Sequence, residues 1–227
     1  PTAGGAPKPP VAEVIELRLL PPVLQSLDGP QAVRALPLLL ALPAAALKEA
    51  LAGPHGLLHA EPPPLSPSAV LEQLHVIDAK AAGLPLKPLI DAVQVCIAER
   101  SIFTHDVMAE GLRLIVAHEP LPLMSLRTIM QALVYWPKLT EFAMELLLQL
   151  VARRVWLIPA LWAGFVKCCH MATPHSHPVL LQLPRTQLIH VLEQQPDLKD
   201  GLITFAATHL TSVPADALEV LGLTEDD

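Results

Sequence analysis

Aromatic residues make up only 4% of this 227-residue sequence, with one tyrosine, four phenylalanines and three tryptophans. β-Sandwiches and barrels draw heavily on aromatic and β-branched side chains, so that scarcity argues against an all-β fold. Cysteine is also rare: Cys96, Cys168 and Cys169 form an odd set in a long sequence, which suits reduced thiols rather than a disulfide framework. Basic charge is in deficit, with 15 Lys and Arg against 22 Asp and Glu and a net charge of −7. Such a surface as a whole repels nucleic acid, although a local basic patch can survive on it. Long hydrophobic runs are missing despite a mean hydropathy of +0.45. The longest charge-free apolar stretches, Ala35–Leu47 and Val155–Val166, are broken by proline and fall short of the roughly 20 residues a membrane helix needs. No signal-peptide pattern stands at the start. The opening at Pro1 and the close in Glu225-Asp226-Asp227 read as an excerpt of a longer protein. Glycine motifs are lacking too. No G-x-x-x-x-G-K-[ST], G-x-G-x-x-G or G-x-S-x-G run occurs, so neither a phosphate cradle nor a nucleophile elbow is visible.

What is abundant is leucine, alanine and proline, and the 25 prolines punctuate the sequence. Pro67, Pro88, Pro122, Pro137, Pro159, Pro184, Pro196 and Pro214 each lie near the opening of an apolar-periodic segment, where a missing N–H costs nothing. Leu126, Ile129, Met130, Leu133 and Val134 keep the helical spacing. Leu139, Phe142, Ala143, Leu146, Leu147, Leu150 and Val151 repeat it, with Glu141, Glu145 and Gln149 opposite. Ser66-Pro67 reads as an N-cap followed by proline at the first helical position, and Thr104 with Asp106 as another helix start. The remaining helices are expected over Glu16–Leu27, Gln31–Leu42, Ala44–Ala52, Ser68–Ile77, Lys87–Arg100, Val107–His118, Ala160–Met171, Thr186–Gln194, Leu198–Leu210 and Ala215–Leu221. Pro1–Pro10, Pro54–Pro67 and Thr173–Pro178 read as irregular.

Many short helices joined by short turns imply an all-α fold of stacked antiparallel helix pairs, a HEAT- or armadillo-like solenoid without a regular repeat. Residues 1–10 read as a flexible tail. Residues 11–227 read as a single helical-repeat scaffold domain, with a Pro-rich connection near 53–67.

Two clusters look chemical. Cys168, Cys169, His170, His175 and His177 are all metal-ligand types, yet adjacent helical cysteines point about 100° apart and the C-x₂₋₄-C spacing is absent. The favoured reading makes both cysteines helix-packing residues and leaves His175 and His177 solvated in a Pro-rich turn, with no metal and no cofactor. From Leu121 to His170, Arg127, Lys138, Arg153, Arg154 and Lys167 outnumber Glu141 and Glu145, and Trp136, Trp156, Trp162 and Phe165 lie among them. Aromatics of this kind mostly fill gaps between helices. A stretch near 138–167 that interleaves bases with aromatics also suits single-stranded RNA or a protein interface. Arg153, Arg154, Trp156, Trp162 and Lys167 are therefore the candidate protein-interaction surface.

One run is more specific. Pro120-Leu121-Pro122-Leu123 leads to Leu126-Arg127-Thr128-Ile129-Met130-Gln131-Ala132-Leu133, then Trp136-Pro137-Lys138-Leu139, Val155-Trp156, and Pro159-Ala160-Leu161-Trp162-Ala163-Gly164-Phe165-Val166-Lys167-Cys168-Cys169. With Leu180-Leu181-Gln182-Leu183-Pro184 and the upstream Cys96-Ile97-Ala98-Glu99-Arg100, it resembles the C-terminal region of the symplekin family. Leu20-Pro21-Pro22-Val23-Leu24 and Ala35-Leu36-Pro37 are similar more loosely. The resemblance implies a nuclear, non-catalytic scaffold of pre-mRNA 3′-end processing. Its implied partners are protein subunits of the cleavage and polyadenylation machinery: the endonuclease-bearing specificity factor, the stimulation factor and the histone pre-mRNA processing complex. It implies no membrane, no small-molecule substrate and no metal, because Cys168-Cys169 belongs to the family's helix motif. Likeness weakens after Asp197. The opening tail and the Gly53–Pro67 connection look particular to this sequence.

Overall fold

Each helix is written into the sequence by a start signal and an apolar stripe, and a computed structural model describes Leu20 and residues 22–79, 81 and 83–223. The 1–10 tail lies outside the described residues. So do residues 16–19 and 21 of the helix expected over Glu16–Leu27, of which Leu20 and residues 22–25 are helical. Twelve further α-helices follow among the described residues: α1 Gly29–Leu39, α2 Ala44–Ala52, α3 Pro67–Val76, α4 Leu86–Ala98, α5 His105–Ala117, α6 Ser125–Tyr135, α7 Thr140–Ala152, α8 Pro159–Met171, α9 His177–Leu180, α10 Arg185–Gln194, α11 Leu198–Thr208 and α12 Ala215–Leu221. No strand occurs among the described residues.

The start signals act as local chemistry predicts. Ser66 Oγ accepts from Ala69 N at 3.2 Å, with Pro67 in the first turn of α3. Pro159 opens α8 in the same way, while Pro184 and Pro214 stand as the residues before α10 and α12. Asp28 and Gln31 form a reciprocal capping box at α1, Asp28 Oδ1 accepting from Gln31 N at 2.8 Å and Gln31 Oε1 from Asp28 N at 2.9 Å. That pair satisfies two donors a bare helix start leaves open. Pro37 lies inside α1, but only within its last turn.

The contacts fall into two compact units, residues up to Leu114 and residues from Ile115 on. In the first unit α1 packs on α3 and α2 on α4, while Gly111 of α5 lies against Leu71 of α3, where a Cβ would come within 3.0 Å of the leucine Cδ2. The Pro-rich connection is not solvated throughout. It folds a 3₁₀ turn at Leu57–His59 and buries Leu57, Leu58 and Ala60.

In the second unit α6 packs on α8 and α10 on α12, while α7 packs on α9 and α9 on α11. Helices two apart therefore share a layer, which is the arrangement of an α-solenoid. Trp162 of α8 continues its layer to α10 by donating from Nε1 to His190 Nδ1 at 3.0 Å, and Arg185 ties α10 to Glu219 of α12. Most of the stripe expected on α7 is buried: Leu139, Ala143, Leu146, Leu147, Leu150 and Val151 are covered, while Phe142 is half-buried, Met144 is covered beside them, and Glu141, Glu145 and Gln149 are exposed.

α6 departs from its hydrophobic period. Its covered face is Ser125, Leu126, Thr128, Ile129 and Ala132, whereas Val134 is 56% exposed. α6 approaches α8 closely. A Cβ on Gly164 would come within 3.0 Å of Leu126 Cβ, and Cys168 Sγ lies 3.4 Å from the Leu126 carbonyl oxygen, to which it donates. Gly164 and Cys168 leave room on α8 for Leu126, and Ser125, Thr128 and Ala132 are covered on α6 beside Leu126 and Ile129.

A candidate interaction cleft beside Arg154

Local geometry between α7 and α8 builds the candidate site. α7 ends at Arg153, whose N–H donates to the Gln149 carbonyl at 3.0 Å. Arg154 then adopts the left-handed conformation, φ 53° and ψ 52°, a position usually given to glycine. A 3₁₀ turn, Val155–Leu157, follows; Val155 plugs into the core while Leu157 is 69% and Ile158 40% exposed. Pro159 then starts α8.

This bend faces the Glu119-Pro120-Leu121 segment across a cleft of about 240 Å³. Leu121, Leu150, Val155 and Leu161 form its buried apolar floor. Glu119, Arg153 and Arg154 stand on its rim, and Leu157 and Ile158 extend it outward.

The five residues singled out from sequence divide sharply. Arg153 turns toward the protein: its guanidinium donates to the Val116 carbonyl and to that of His118 at 2.6 Å, with Glu119 3.7 Å away. These acceptors are orphan carbonyls at the end of α5, so the Arg153 guanidinium caps the C-terminus of that helix. Trp162 is covered, stacked on Phe165 with centroids 5.4 Å apart and 14° between planes, and on His190 at 6.0 Å. Arg154 and Lys167 are exposed and Trp156 is half-buried. Arg153 and Arg154 share the cleft; Trp156, Trp162 and Lys167 do not line it. Sequence reasoning missed Leu121, Leu157 and Ile158, which nothing in their spacing marks.

Substitutions should separate the two arginines. Arg153→Ala removes charge-assisted bonds to two carbonyls and is expected to cost about 2–3 kcal/mol. Arg154→Gly relieves a left-handed L-residue and is expected to leave the fold as stable or about 1 kcal/mol more so. Urea unfolding of both variants checks this, and equal losses would contradict the assigned roles.

The cysteine–histidine group does not converge. His170 Nε2 pairs with Asp197 at 2.7 Å, and this hydrogen bond holds the Asp197 carboxyl below its ordinary range. His175 Nδ1 pairs with Glu141 at 2.8 Å. His177 departs from the solvated turn expected of it. It is 5% exposed, edge-on to Phe205 at 5.8 Å, and its Nε2 has no hydrogen-bond partner. Thr173–Pro178 leads directly into α9, whose Val179 and Leu180 anchor the turn in the core and carry His177 inside; burial pulls its pKa down. Among the described residues no three His, Cys, Asp or Glu side chains group to hold a metal ion. Burial also pushes the thiols of Cys96 and Cys168 up to about 12, and that of Cys169 well above its ordinary value. They are protonated near neutrality and unsuited to nucleophilic attack.

The family described as Symplekin tight junction protein C terminal matches residues 16–195. The chain belongs to the symplekin C-terminal family. No solved structure matches it. The symplekin match takes in the whole cleft and ends near Asp197, beyond which the likeness seen in the sequence weakens. Membership in this family points to a scaffold role in mRNA 3′-end processing, and the Trp162–Cys169 run that carries the likeness reads in three dimensions as a packing device. Trp162 reaches α10, Phe165 stacks on Trp162, and Gly164 and Cys168 receive Leu126 of α6. Among the described residues no helix is long and apolar enough to cross a membrane.

Proposed function

We propose that this protein is a non-catalytic scaffold that binds protein subunits of the pre-mRNA cleavage and polyadenylation machinery in the nucleus, with residues 11–227 acting as one scaffold. The observation that carries this reading is the symplekin C-terminal match over residues 16–195. The proposed interface is the cleft beside Arg154; an apolar floor and two exposed aliphatic side chains that meet a charged rim there support this reading. Interfaces concentrate binding energy in such pockets.

A pulldown with the immobilised protein and purified subunits of the endonuclease-bearing specificity factor and the stimulation factor tests it. Stoichiometric retention of at least one subunit is expected; retention of none sinks the reading.

A second reading is direct contact with single-stranded RNA. Arg127, Lys138, Arg154 and Lys167 are exposed, and no carboxylate pairs with them among the described residues. Against it, Trp136, Trp162 and Phe165 are covered and offer no ring for base stacking. Salt-dependent RNA binding that is lost in an Arg154→Glu, Lys167→Glu variant would favour it. Arg153 is unsuited to that test because its replacement disturbs the fold.

A further inference from the structure

We infer that the cleft beside Arg154 receives an acidic, apolar peptide segment of a partner protein, with one bulky side chain filling the cleft and an adjacent carboxylate pairing with Arg154. The inference rests on the scaffold reading above and adds the chemistry of the docked segment.

Size comes first. The cleft, about 240 Å³, lies below the range of roughly 300–1,000 Å³ usual for small-molecule sites, and suits a bulky side chain better than a cofactor. Its floor is aliphatic, and Leu157, 69% exposed, with Ile158, 40% exposed, stands beside it. Covering these with a partner's apolar side chain removes hydrocarbon from water.

Charge narrows the occupant. The protein as a whole carries −7, yet the rim sets Arg153 and Arg154 against Glu119 alone. Arg153 is occupied by the Val116 and His118 carbonyls and lies near Glu119. Arg154 has no ion-pair partner among the described residues, so one cation is left open and calls for one carboxylate. It stands in a left-handed conformation where glycine is easier, and strain of this kind gathers where a side chain is kept for a task.

The same facts weigh against other occupants. RNA would meet no aromatic ring in the lining. A second copy docked face to face about a two-fold axis would bring Arg154 toward Arg154, a like-charge contact.

The test uses the whole protein and a short fluorescein-labelled peptide carrying leucine and phenylalanine flanked by glutamates, with a counterpart in which lysines replace the glutamates. Fluorescence polarisation is expected to show binding of the glutamate peptide, weakened by added salt. Leu157→Asp should weaken that binding by about tenfold or more, and Arg154→Glu should shift the preference to the lysine peptide. Equal binding of both peptides to the unaltered protein, or binding of neither, would overturn the inference. The two readings separate in the pulldown. If Arg154→Glu and Leu157→Asp retain the processing subunits as well as the unaltered protein does, the cleft inference falls and the scaffold stands. If the unaltered protein retains none, the scaffold reading itself falls.

Discussion

Trp162→Ala is expected to lower the stability of the 115–227 unit by about 3–5 kcal/mol, the range for removing a large buried aromatic side chain. The indole is 8% exposed, stacks on Phe165 and His190, and donates to His190 Nδ1. Truncation therefore leaves a cavity between α8 and α10 as well as a histidine nitrogen without its donor. Trp162→Phe keeps one ring for stacking but loses the hydrogen bond and the rest of the indole's packing, so a smaller loss of about 1–2 kcal/mol is expected. Lys167→Ala, exposed on the same helix, should stay within about 0.5 kcal/mol. Urea unfolding of the three variants at neutral pH gives the comparison. A Trp162→Ala variant that stays stable and loses only partner binding would show that the indole serves the surface instead.

Acidification should weaken the first unit, with His75 supplying a defined share. His75 of α3 is 5% exposed, and its Nδ1 donates to the Leu71 carbonyl at 2.8 Å, which assigns the neutral ring its proton. Burial lowers its pKa to about 4 from an ordinary 6.5. The unfolded state therefore takes up a proton at a pH where the folded state still refuses it. Stability from this group is fully present above pH 6.5, falls as pH drops through 6.5, and levels off below about 4. A shift of that size corresponds to about 3 kcal/mol across the window. His177 acts in the same direction in the second unit, its pKa also lowered by burial. Unfolding free energies measured between pH 7.5 and pH 4 for the unaltered protein and for His75→Asn isolate the His75 share. If the two profiles run parallel, His75 is not the titrating group.

Helix positions were legible because their causes are local. Prolines at segment openings, the Ser66 cap and the three-turn stripe of α7 are properties of a few consecutive residues, and they place most helices within a residue or two. The Asp28–Gln31 capping box is a D-x-x-Q spacing, a local signal that the hydrophobic period alone does not reveal. α9 was not legible because four residues carry no period, and its anchoring depends on Val179 and Leu180 reaching a core that sequence does not display.

The cleft was only half legible. The sequence pointed to Arg153 and Arg154 as a pair, because both are basic and lie among aromatics. It could not tell them apart. Arg153 turned inward because the end of α5, distant in sequence, offers two unsatisfied carbonyls within reach, and Arg154 was left outside by the left-handed turn after α7.

By itself, then, the sequence determined the helical class, the order of the helices, the absence of a recognisable catalytic motif and the likeness to the symplekin C-terminal region. All of these depend on residue type and short-range spacing. Only the tertiary structure decided which face of α6 is buried, that Trp162 and His177 belong to the interior, and which of Arg153 and Arg154 is left exposed. Those outcomes depend on how closely helices two apart approach, a quantity set by the summed packing of many side chains and written in no single stretch of the sequence.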